Sequence, residues 1–502
     1  MEDGMQPSFF RDLKRNRQFV QQVLHLDENT DIVQRSFTAM GLDCMRYYVD
    51  GFASSAWVAD YILRPLMHCR TELKGQAALE AATRSLIAIP ETKVMDKPEE
   101  AIDALMHGLC MLLIDTVDAA ILMDARFYVK RSVSTPQTET VVIGPHEAFT
   151  EPMRDNLTLL HRLLPTQELI CRMDSVGTRV STKLCICYLK GICPEETVSE
   201  LTRRLHGCAI DDVLNAGMLA QLLEDDPFAP LPQVITTERP DRAVSFLLEG
   251  QCVIILDGSP RCLAMPMNLY HLFHAPDDSY MRWQYGTFMR LIRAFGAGVA
   301  LLLPALFVSI VMFHPIALPM SLLTNIIQSR SVVSISLFTE ALLMLTVFAL
   351  INEAGTRIPG LLGSSFGLVS ALILGTAAVD AGIVSPLLLI VVALSGLGSY
   401  ALPDYSLSFA FRIGQIALVI AGGLMGLSGV CLMLLFLVLR VAGMQSLGMP
   451  YLAPSSPRRV RNPDLILRAP IYRQRLLGTT GDPAQMVRTR GRMRLWMRRR
   501  EK

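Results

Sequence analysis

The stretch 294-AFGAGVALLLPALFVSIVMF-313 decides the fold class, because its 20 residues contain no charged side chain. A helix needs about 20 apolar residues to cross the hydrocarbon core of a bilayer, so this stretch predicts a membrane-spanning helix. The apolar character continues to Arg440, with seven charged side chains on the way: Arg330, Glu340, Glu353, Arg357, Asp380, Asp404 and Arg412. The block therefore predicts an integral membrane protein. Its few charges mark candidate functional positions, since charge is costly in lipid.

Composition divides the 502-residue chain into unlike parts. Residues 1–285 have the mixed charge and short apolar runs of soluble protein, residues 286–445 are membrane-like, and residues 446–502 form a basic tail. From Ser456 onward, fourteen Lys and Arg side chains face three acidic ones, a net charge of about +11, although the whole chain carries +1. The N-terminus lacks the apolar core of a signal peptide, so we expect both the N-terminal region and the basic tail to be cytoplasmic.

The apolar block separates into five predicted spans: 294–313, 332–350, 361–379, 383–402 and 416–439. An odd number of crossings would put the two ends on opposite sides, against the charge pattern. We therefore expect four or six crossings. The miscounted segment is either His314–Gln328, as a re-entrant or interfacial piece, or Tyr405–Arg412, as an interfacial turn. Aromatic rings that favour the headgroup zone precede the first span: Tyr280, Trp283 and Tyr285.

The third predicted span has small residues at helical spacing: Gly363, Gly367, Ala371 and Gly375. Such a row lets helix backbones approach closely, either within one subunit or between subunits around a central path. In the second case, hydroxyl side chains on nearby faces would line a polar lumen: Ser364, Ser365, Ser370 and Thr376. Glu340 is the deepest charge of the block. It is either neutralised or paired with a neighbouring helix, or else it belongs to an ion path.

Residues 1–285 alternate short apolar runs with amphipathic helices, which predicts a mixed α/β region. Two hairpins are predicted, one from Leu109–Ile114 and Ala120–Met123, the other from Val253–Leu256 and Cys262–Met265. Turn residues separate the two strands of each hairpin. The fold class is therefore an α/β cytosolic region followed by a helical multi-span membrane domain and a basic tail.

The two hairpins share a sequence pattern, because Gly108 and Gly250 each begin the spacing G-x-C-x4-D. This similarity predicts two related subdomains, 1–150 and 151–285, with a break near Pro136–Thr150; chance similarity is the alternative. The membrane domain then covers 286–445 and the basic tail 446–502.

No catalytic constellation is present, since the chain lacks a GxxxxGK[ST] phosphate loop, a GxGxxG after a strand and HExxH. We therefore expect no enzyme activity, no cofactor, no metal and no nucleic-acid partner. The 11 cysteines are scattered. In Cys185-x-Cys187-x5-Cys193 the first two lie on one face of a strand-like run. Our interpretation is buried reduced thiols rather than a metal site or a disulfide.

Four stretches in order resemble one known family. They contain Glu238, Arg239, Pro240 and Asp241 in TERPDRAV (237–244), Glu353, Arg357 and Pro359 in EAGTRIP (353–359), Asp380 and Pro386 in AAVDAGIVSP (377–386), and Pro403, Tyr405 and Arg412 in PDYSLSFAFR (403–412). Together they resemble the GerA family of endospore-forming bacteria, which contains A subunits of nutrient-germinant receptors and the related stage V sporulation protein AF. The chain departs from the family pattern at His146 and Ala148, where Arg and Gly are usual.

The resemblance implies a protein of the spore inner membrane that acts in germination with other subunits. The implied partners are membrane lipid, further copies of the chain, and a B-type transporter-like and a C-type lipoprotein subunit or an equivalent. The A-type subunit is thought to oligomerise into an ion-conducting channel. A secondary transporter with its ion site at Glu340, and a non-conducting membrane scaffold, are the alternatives. The germinant, the conducted ion and the branch of the family stay open.

Overall fold

The computed structural model describes residues 8–126, 136, 139, 141, 143–357 (the backbone alone at 356–357), 373–457, 464 and 467–474. Within them, an α/β region with two sheets is followed by a block of long apolar helices. The predicted fold class is thereby confirmed for the α/β region and the membrane block.

The first subdomain is a five-stranded antiparallel sheet with strand order β1-β2-β4-β5-β3. Its strands are β1 (Ile32–Ala39), β2 (Leu42–Val49), β3 (Thr92–Met95), β4 (Cys110–Ile114) and β5 (Ala120–Met123). Its helices are α1 (Leu13–Val23), α2 (Ser55–Trp57), α3 (Arg64–His68), α4 (Gln76–Ala81) and α5 (Pro98–Met106), with π-helical turns at Val58–Leu63 and Ala82–Leu86. Helices α1 and α5 cover one face of the sheet, and α3, α4 and the two π-helical turns cover the other.

The second subdomain repeats this topology, with strand order β6-β7-β9-β10-β8. Its strands are β6 (Leu169–Val176), β7 (Thr182–Leu189), β8 (Ile235–Thr237), β9 (Cys252–Leu256) and β10 (Cys262–Met265). Its helices are α6 (Met153–Leu163), α7 (Glu195–Gly207), α8 (Ala216–Leu223) and α9 (Pro240–Leu248). Helices α6 and α9 cover one face and α7 and α8 the other. Both predicted hairpins are present, as β4–β5 and β9–β10.

The shared G-x-C-x4-D pattern has the same structural role in both subdomains. Its aspartate follows the hairpin's first strand and accepts the first N–H of the subdomain's first helix. Asp115 Oδ1 lies 3.1 Å from Leu13 N, and Asp257 Oδ1 lies 3.1 Å from Met153 N. A carboxylate there satisfies an otherwise unpaired N–H at the positive helix end. The glycine that begins each pattern has a positive φ, 95° and 87° respectively. The two subdomains are therefore structural repeats.

The helical block begins with α10 (Asp277–Tyr280), a single turn, and continues with α11 (Trp283–Phe313), α12 (Met320–Arg330), α13 (Leu337–Arg357), α14 (described over 373–380), α15 (Pro386–Tyr400) and α16 (Tyr405–Gly443). Among the described residues, α11, α13 and α16 are long and apolar enough to cross a membrane, and α15 is a shorter apolar helix. Helix α12 lies between α11 and α13 and is too short to span, which agrees with the interfacial alternative for 314–328.

Helix α16 is a hairpin of two antiparallel helices that meet at Gly426, whose φ is 65°. A Cβ atom at Gly422 would lie 2.9 Å from Val430 Cγ2, and one at Gly414 would lie 3.7 Å from Leu437 Cδ1. Residues at matching distances before and after Gly426 are therefore neighbours. The prediction of one span at 416–439 is wrong, because a single left-handed glycine reverses the helix without a polar loop.

The predicted interfacial turn Tyr405–Arg412 is also wrong, because these residues form the first turns of α16. Asp404 is the N-cap, and its side chain accepts the N–H of Leu407 at 3.0 Å. An aspartate cap starts a helix at the next residue, so the segment that looked like an amphipathic turn begins the first arm of the hairpin.

Both ends of the helical block lie beside the α/β region, at what we call the near end. Arg440, close to the end of α16, contacts Asp226 of the second subdomain at 2.8 Å. The opposite, far end contains the α16 turn, where a Cβ at Gly426 would meet the Phe313 ring at 2.9 Å and one at Gly423 would meet Phe338 at the start of α13.

The described helices pass five times between the near and far ends, as α11, α13, α15 and the two arms of α16. Asn352 is at the near end, where it contacts Tyr400 at the end of α15, while Gly382 is at the far end against Val332. Asn352 and Gly382 therefore lie at opposite ends of the block. Among the described residues, the segments that flank the block before α11 and after α16 both lie at the near end.

Candidate functional site

Glu340 has a fully buried carboxylate that joins two helices at the far end. Its Oε1 accepts the backbone N–H of Ser385 at 2.6 Å and also the Ser385 hydroxyl, while Oε2 lies 3.6 Å from Arg330 Nε. Ser385 is the N-cap of α15, so the carboxylate sits at the positive end of that helix. Of the two alternatives for Glu340, the structure shows pairing with a neighbouring helix.

The depth expected for Glu340 needs correction. Helix α13 begins at Leu337, later than the predicted start at 332, because Ser336 caps it and accepts the N–H of Thr339 at 3.2 Å. Glu340 is therefore in the first turn of the helix rather than well inside a span. Apolar residues on both sides of Glu340 hid this boundary in the sequence.

A buried polar seam runs between α11, α15 and α16. The Ser395 hydroxyl donates to a backbone carbonyl of α11 at 3.0 Å and accepts from the Gln415 amide. Nearer the α/β region, the Ser408 hydroxyl donates to the Ser399 carbonyl at 3.2 Å, and Arg412 Nε donates to the Ser399 hydroxyl at 3.4 Å. These groups satisfy one another inside the bundle, as a lipid environment requires. We call these five residues the polar seam.

Helices α11 and α15 approach so closely beside the seam that only glycine fits. A Cβ atom at Gly398 would lie 2.4 Å from the Gly296 carbonyl oxygen, and one at Gly296 would lie 3.1 Å from Ala401 Cβ. The sequence signal was present, since Gly296 and Ala300 have the small-xxx-small spacing, although the prediction assigned close helix packing to the third span.

The candidate pore residues of the third predicted span lie largely outside the described residues, namely Gly363, Ser364, Gly367, Ser370 and Ala371. Gly375 is described and buried, and a Cβ there would contact Leu389 of α15 at 3.4 Å. Thr376 is exposed, and its hydroxyl donates to the Ile373 carbonyl at 3.1 Å. Thus Gly375 contributes to helix packing within one chain.

The TERPDRAV motif (237–244) forms a buried polar cluster in the α/β region, at the near end of the membrane block. Arg239 is fully buried, and its guanidinium contacts Asp241 at 2.8 Å and the Pro145 carbonyl at 3.0 Å. Glu238 accepts the N–H of Glu139 at 2.8 Å. Pro240 is the first residue of α9, where the missing N–H has no cost.

Asp241 links this motif to the juxtamembrane turn α10, since it also accepts the Tyr280 hydroxyl. Burial and the hydrogen bond to Asp241 raise the pKa of Tyr280 to about 12. The phenol therefore stays neutral and remains a donor at physiological pH. The motif thereby reaches the segment that leads into the first long helix.

At the start of α11, two buried arginines converge on one carboxylate. Arg293 Nη1 lies 2.6 Å and Arg290 Nε 3.3 Å from Asp278 Oδ2, and Arg290 also contacts Asp464 at 3.1 Å. An adjacent cleft of about 410 Å³ is bordered by α9, α10 and the C-terminal segment. We call the set Arg239, Asp241, Tyr280, Asp278, Arg290 and Arg293 the junction.

The remaining family-motif residues mark helix ends. Pro386 is the first residue of α15, and Pro403 precedes the Asp404 cap of α16. Tyr405 is 67% exposed at the near end, while Glu353 and Asp380 are exposed near the ends of α13 and α14. Arg412 belongs to the polar seam. Beyond them, the side chain of Arg357 and all of Pro359 lie outside the described residues.

Sequence reasoning missed four of the residues that complete these sites: Asp278, Ser385, Ser395 and Gln415. Gln415 carried a signal, as an amide at the start of a long apolar run. Ser385 and Ser395 carried little, because isolated serines are common in spans. Their roles depend on which helices become neighbours.

Comparison with known proteins identifies the family of the chain. Residues 19–476 match the family described as Bacillus/Clostridium GerA spore germination protein. The chain is 33% identical to spore germination protein GerLA of Bacillus cereus over 82% of this chain and 84% of that one. It is 32% identical to spore germination protein B1 of Bacillus subtilis (strain 168) over 88% and 92%. The N-terminal domain of the A subunit of the Bacillus megaterium spore germinant receptor GerK3 is 25% identical, with a TM-score of 0.42, covering 52% of this chain and 97% of that one. The chain belongs to the GerA family of spore germination proteins.

Proposed function

We propose that this chain is a membrane subunit of a spore germination receptor in the spore inner membrane, and that it couples a germinant or partner signal to ion release. Family membership supports the role in germination. The observation that carries the coupling is the junction. Its hydrogen bonds run from buried Arg239 through Asp241 and Tyr280 to the turn whose Asp278 holds the first arginines of α11.

The junction supports coupling because its charges are buried and mutually paired. Arg290 and Arg293 are 7% and 8% exposed, and both contact the single Asp278 carboxylate. Removing one partner of a buried pair is costly, so a movement of the α/β region shifts α11 rather than breaking the contact. A rigid connection of this kind transmits a change of state from the α/β region to the helices.

Ion conduction in this proposal takes place between copies of the chain. The helices present large apolar side chains outward, among them Phe295 at 74% exposed, Leu397 at 66% and Leu424 at 67%. Lipid or neighbouring copies cover such faces in a membrane. The small residues around Gly367 and Ala371 would let copies pack closely around a central path, with nearby hydroxyl groups facing the lumen.

The proposed partners are further copies of this chain, membrane lipid, and a B-type transporter-like and a C-type lipoprotein subunit or their equivalent. The proposed orientation places the α/β region and the basic tail on the cytoplasmic, core side. Tyr280, Trp283 and Tyr285, each 40–47% exposed at the near end, support a headgroup boundary there. No catalytic activity is part of the proposal.

Two rival functions differ in what they require of the helices. A secondary transporter needs an ion site reachable near the bilayer midplane. Glu340 is in the first turn of α13 and is paired with Ser385 and Arg330, which favours a structural role for this carboxylate. A non-conducting scaffold requires no ion route at all.

Reconstitution of the purified full-length protein in liposomes separates the three functions. Passive ion flux supports the channel, solute-coupled uptake supports the transporter, and neither supports the scaffold. In spores, Gly367→Leu or Ala371→Leu is expected to alter ion release while the protein still accumulates. Gly298→Leu is the matched control, because no atom lies within 4 Å of a Cβ at Gly298. Unchanged ion release in both test variants would remove the pore-packing part of the proposal.

A further inference from the structure

We propose that Cys171, Cys185, Cys187 and His161 form a binding site for a thiophilic divalent cation such as Zn²⁺. The site lies beside Asp31, where the two subdomains meet. The sequence alone favoured reduced thiols without a metal. The structure changes that interpretation, because it brings together a third cysteine, a histidine and a carboxylate that are distant in sequence, and all five side chains are buried.

The three thiols are spaced as ligands of one cation. Cys171 on β6 is directly opposite Cys187 on β7, and Cys185 lies two residues away on the same face. The Sγ atoms of Cys171 and Cys187 are 3.8 Å apart, as are those of Cys185 and Cys187, and all three lie within 4.8 Å of one another. Zn–S bonds of about 2.3 Å place tetrahedral sulfur ligands about 3.8 Å apart.

His161 supplies the fourth ligand from helix α6. Its Nε2 lies 3.7 Å from Cys171 Sγ and 2.6 Å from Asp31 Oδ2. Its Nδ1 has no hydrogen-bond partner among the described atoms, although the side chain is fully buried. A cysteine can fill an apolar core as a small hydrophobic residue, and His161 and Asp31 satisfy one hydrogen bond of each other. This pair leaves the fully buried Nδ1 of His161 without a partner. Imidazole and thiolate are the usual zinc ligands, and this ring and the three thiols can supply them.

Binding requires only proton release. Each coordinating thiol gives up its proton, His161 binds as the neutral imidazole, and the displaced protons go to solvent without any oxidation or reduction. Asp31 contacts the same Nε2 that lies next to Cys171, so cation binding at this nitrogen replaces the Nε2–Asp31 hydrogen bond. Asp31 then remains beside the cation as an outer carboxylate that balances its charge.

The site would fix the joint between the subdomains. Asp31 precedes β1 of the first subdomain, while His161 and the cysteines belong to the second. Next to the site, Thr30 N donates to the Cys171 carbonyl at 3.1 Å and the Asn29 amide donates to the Leu169 carbonyl at 3.2 Å. A cation there would hold the first subdomain against β6 in addition to these hydrogen bonds.

A second thiol pair on the opposite face of the same sheet provides the control. Cys193 and Cys252 are buried with their Sγ atoms 3.4 Å apart, but among the described residues no third histidine, cysteine or acidic side chain completes a set of three possible cation ligands with them. Cys252→Ala therefore changes a buried cysteine of the same subdomain without touching the proposed ligands.

The test is metal analysis of the full-length protein purified in detergent from cells grown with Zn²⁺ or with Co²⁺. We expect about one cation per chain and, in the cobalt-grown protein, the visible absorption of tetrahedral cobalt thiolate. Cys171→Ala and Cys187→Ala should lose the cation, Cys252→Ala should keep it, and His161→Cys should retain it as a four-cysteine site. Asp31→Asn should weaken binding by about 10- to 100-fold.

Wild-type protein without stoichiometric cation and without the cobalt thiolate absorption would overturn the proposal, whatever the variants do. Equal metal content in Cys171→Ala, Cys187→Ala and wild type would overturn it as well. Because metal content is measured on the purified chain, these outcomes are independent of whether the protein conducts ions.

Discussion

The Glu340 carboxylate accepts the backbone N–H of Ser385 at 2.6 Å, a contact between the first turn of α13 and the first turn of α15. The first N–H groups of a helix have no partner within the helix, and lipid offers none. Glu340 satisfies one of them and balances its own charge against Arg330. The most deeply buried acid of the helical block therefore anchors two neighbouring helices.

The first prediction concerns this anchor. Glu340→Leu removes the acceptor for Ser385 and leaves Arg330 without its acidic partner, so we expect a loss of about 3 kcal/mol in the free energy of unfolding. Glu340→Gln keeps an oxygen acceptor and should lose less. Denaturant unfolding of the detergent-solubilised protein measures both. Asp380→Asn, at an exposed position in α14, is the control and should change stability by less than about 0.5 kcal/mol. A Glu340→Leu protein as stable as wild type would show that the contact adds nothing.

The second prediction concerns the turn of the α16 hairpin. Gly426 has a φ of 65°, and a Cβ there would lie 2.9 Å from the Phe313 ring. Gly426→Ala should therefore lower the free energy of unfolding by at least about 1–2 kcal/mol. Gly443→Ala, at the end of the same helix, places its methyl group in open space and should be neutral. Thermal unfolding in detergent compares the two variants, and equal shifts would argue against a strained turn.

Much of the α/β region could be predicted from the sequence. The Asp-Gly turn and alternating apolar runs predicted the β9–β10 hairpin, and the structure confirms it with Asp257 and Gly258 between the strands. The α16 hairpin could not be predicted in the same way. Apolar periodicity is the same in both arms, and no proline or charge marks Gly426. When a helix reverses direction at a single glycine, the amino-acid composition of the segment does not change, so the sequence does not indicate the turn.

The site residues could be predicted from the sequence only where a single residue stands out from its neighbours in the chain. Glu340 stood out as an acid in an apolar run, but Ser385 is 45 positions away and is chosen by helix packing. Cys185 and Cys187 share a strand, so their common face was readable. Cys171 joins them through the register of β6 against β7, which one sequence does not reveal.

The third prediction concerns the close approach of α11 and α15. A Cβ at Gly398 would lie 2.4 Å from the Gly296 carbonyl oxygen, a backbone atom that cannot rotate away. Gly398→Ala must push the helices apart and open voids in the polar seam, so we expect reduced accumulation in membranes and lower thermal stability. Gly298→Ala, on the same helix as Gly296 but facing open space, should accumulate normally. If both variants accumulate like wild type, the helices do not depend on this contact.

The last prediction concerns the alkaline stability of the junction. Burial and the hydrogen bond to Asp241 raise the pKa of Tyr280 to about 12, above the ordinary value of about 10. Between these values the unfolded chain releases the phenolic proton first, so the contribution of Tyr280 is complete below about pH 10 and is lost as the pH rises towards 12. Tyr280→Phe should remove this part of the decline and make the unfolding free energy less dependent on pH in that window. Tyr285→Phe, 47% exposed in the following turns, should leave the wild-type slope unchanged. Denaturant unfolding at several pH values measures the slopes, and identical slopes for wild type and Tyr280→Phe would contradict a Tyr280–Asp241 hydrogen bond in the folded protein.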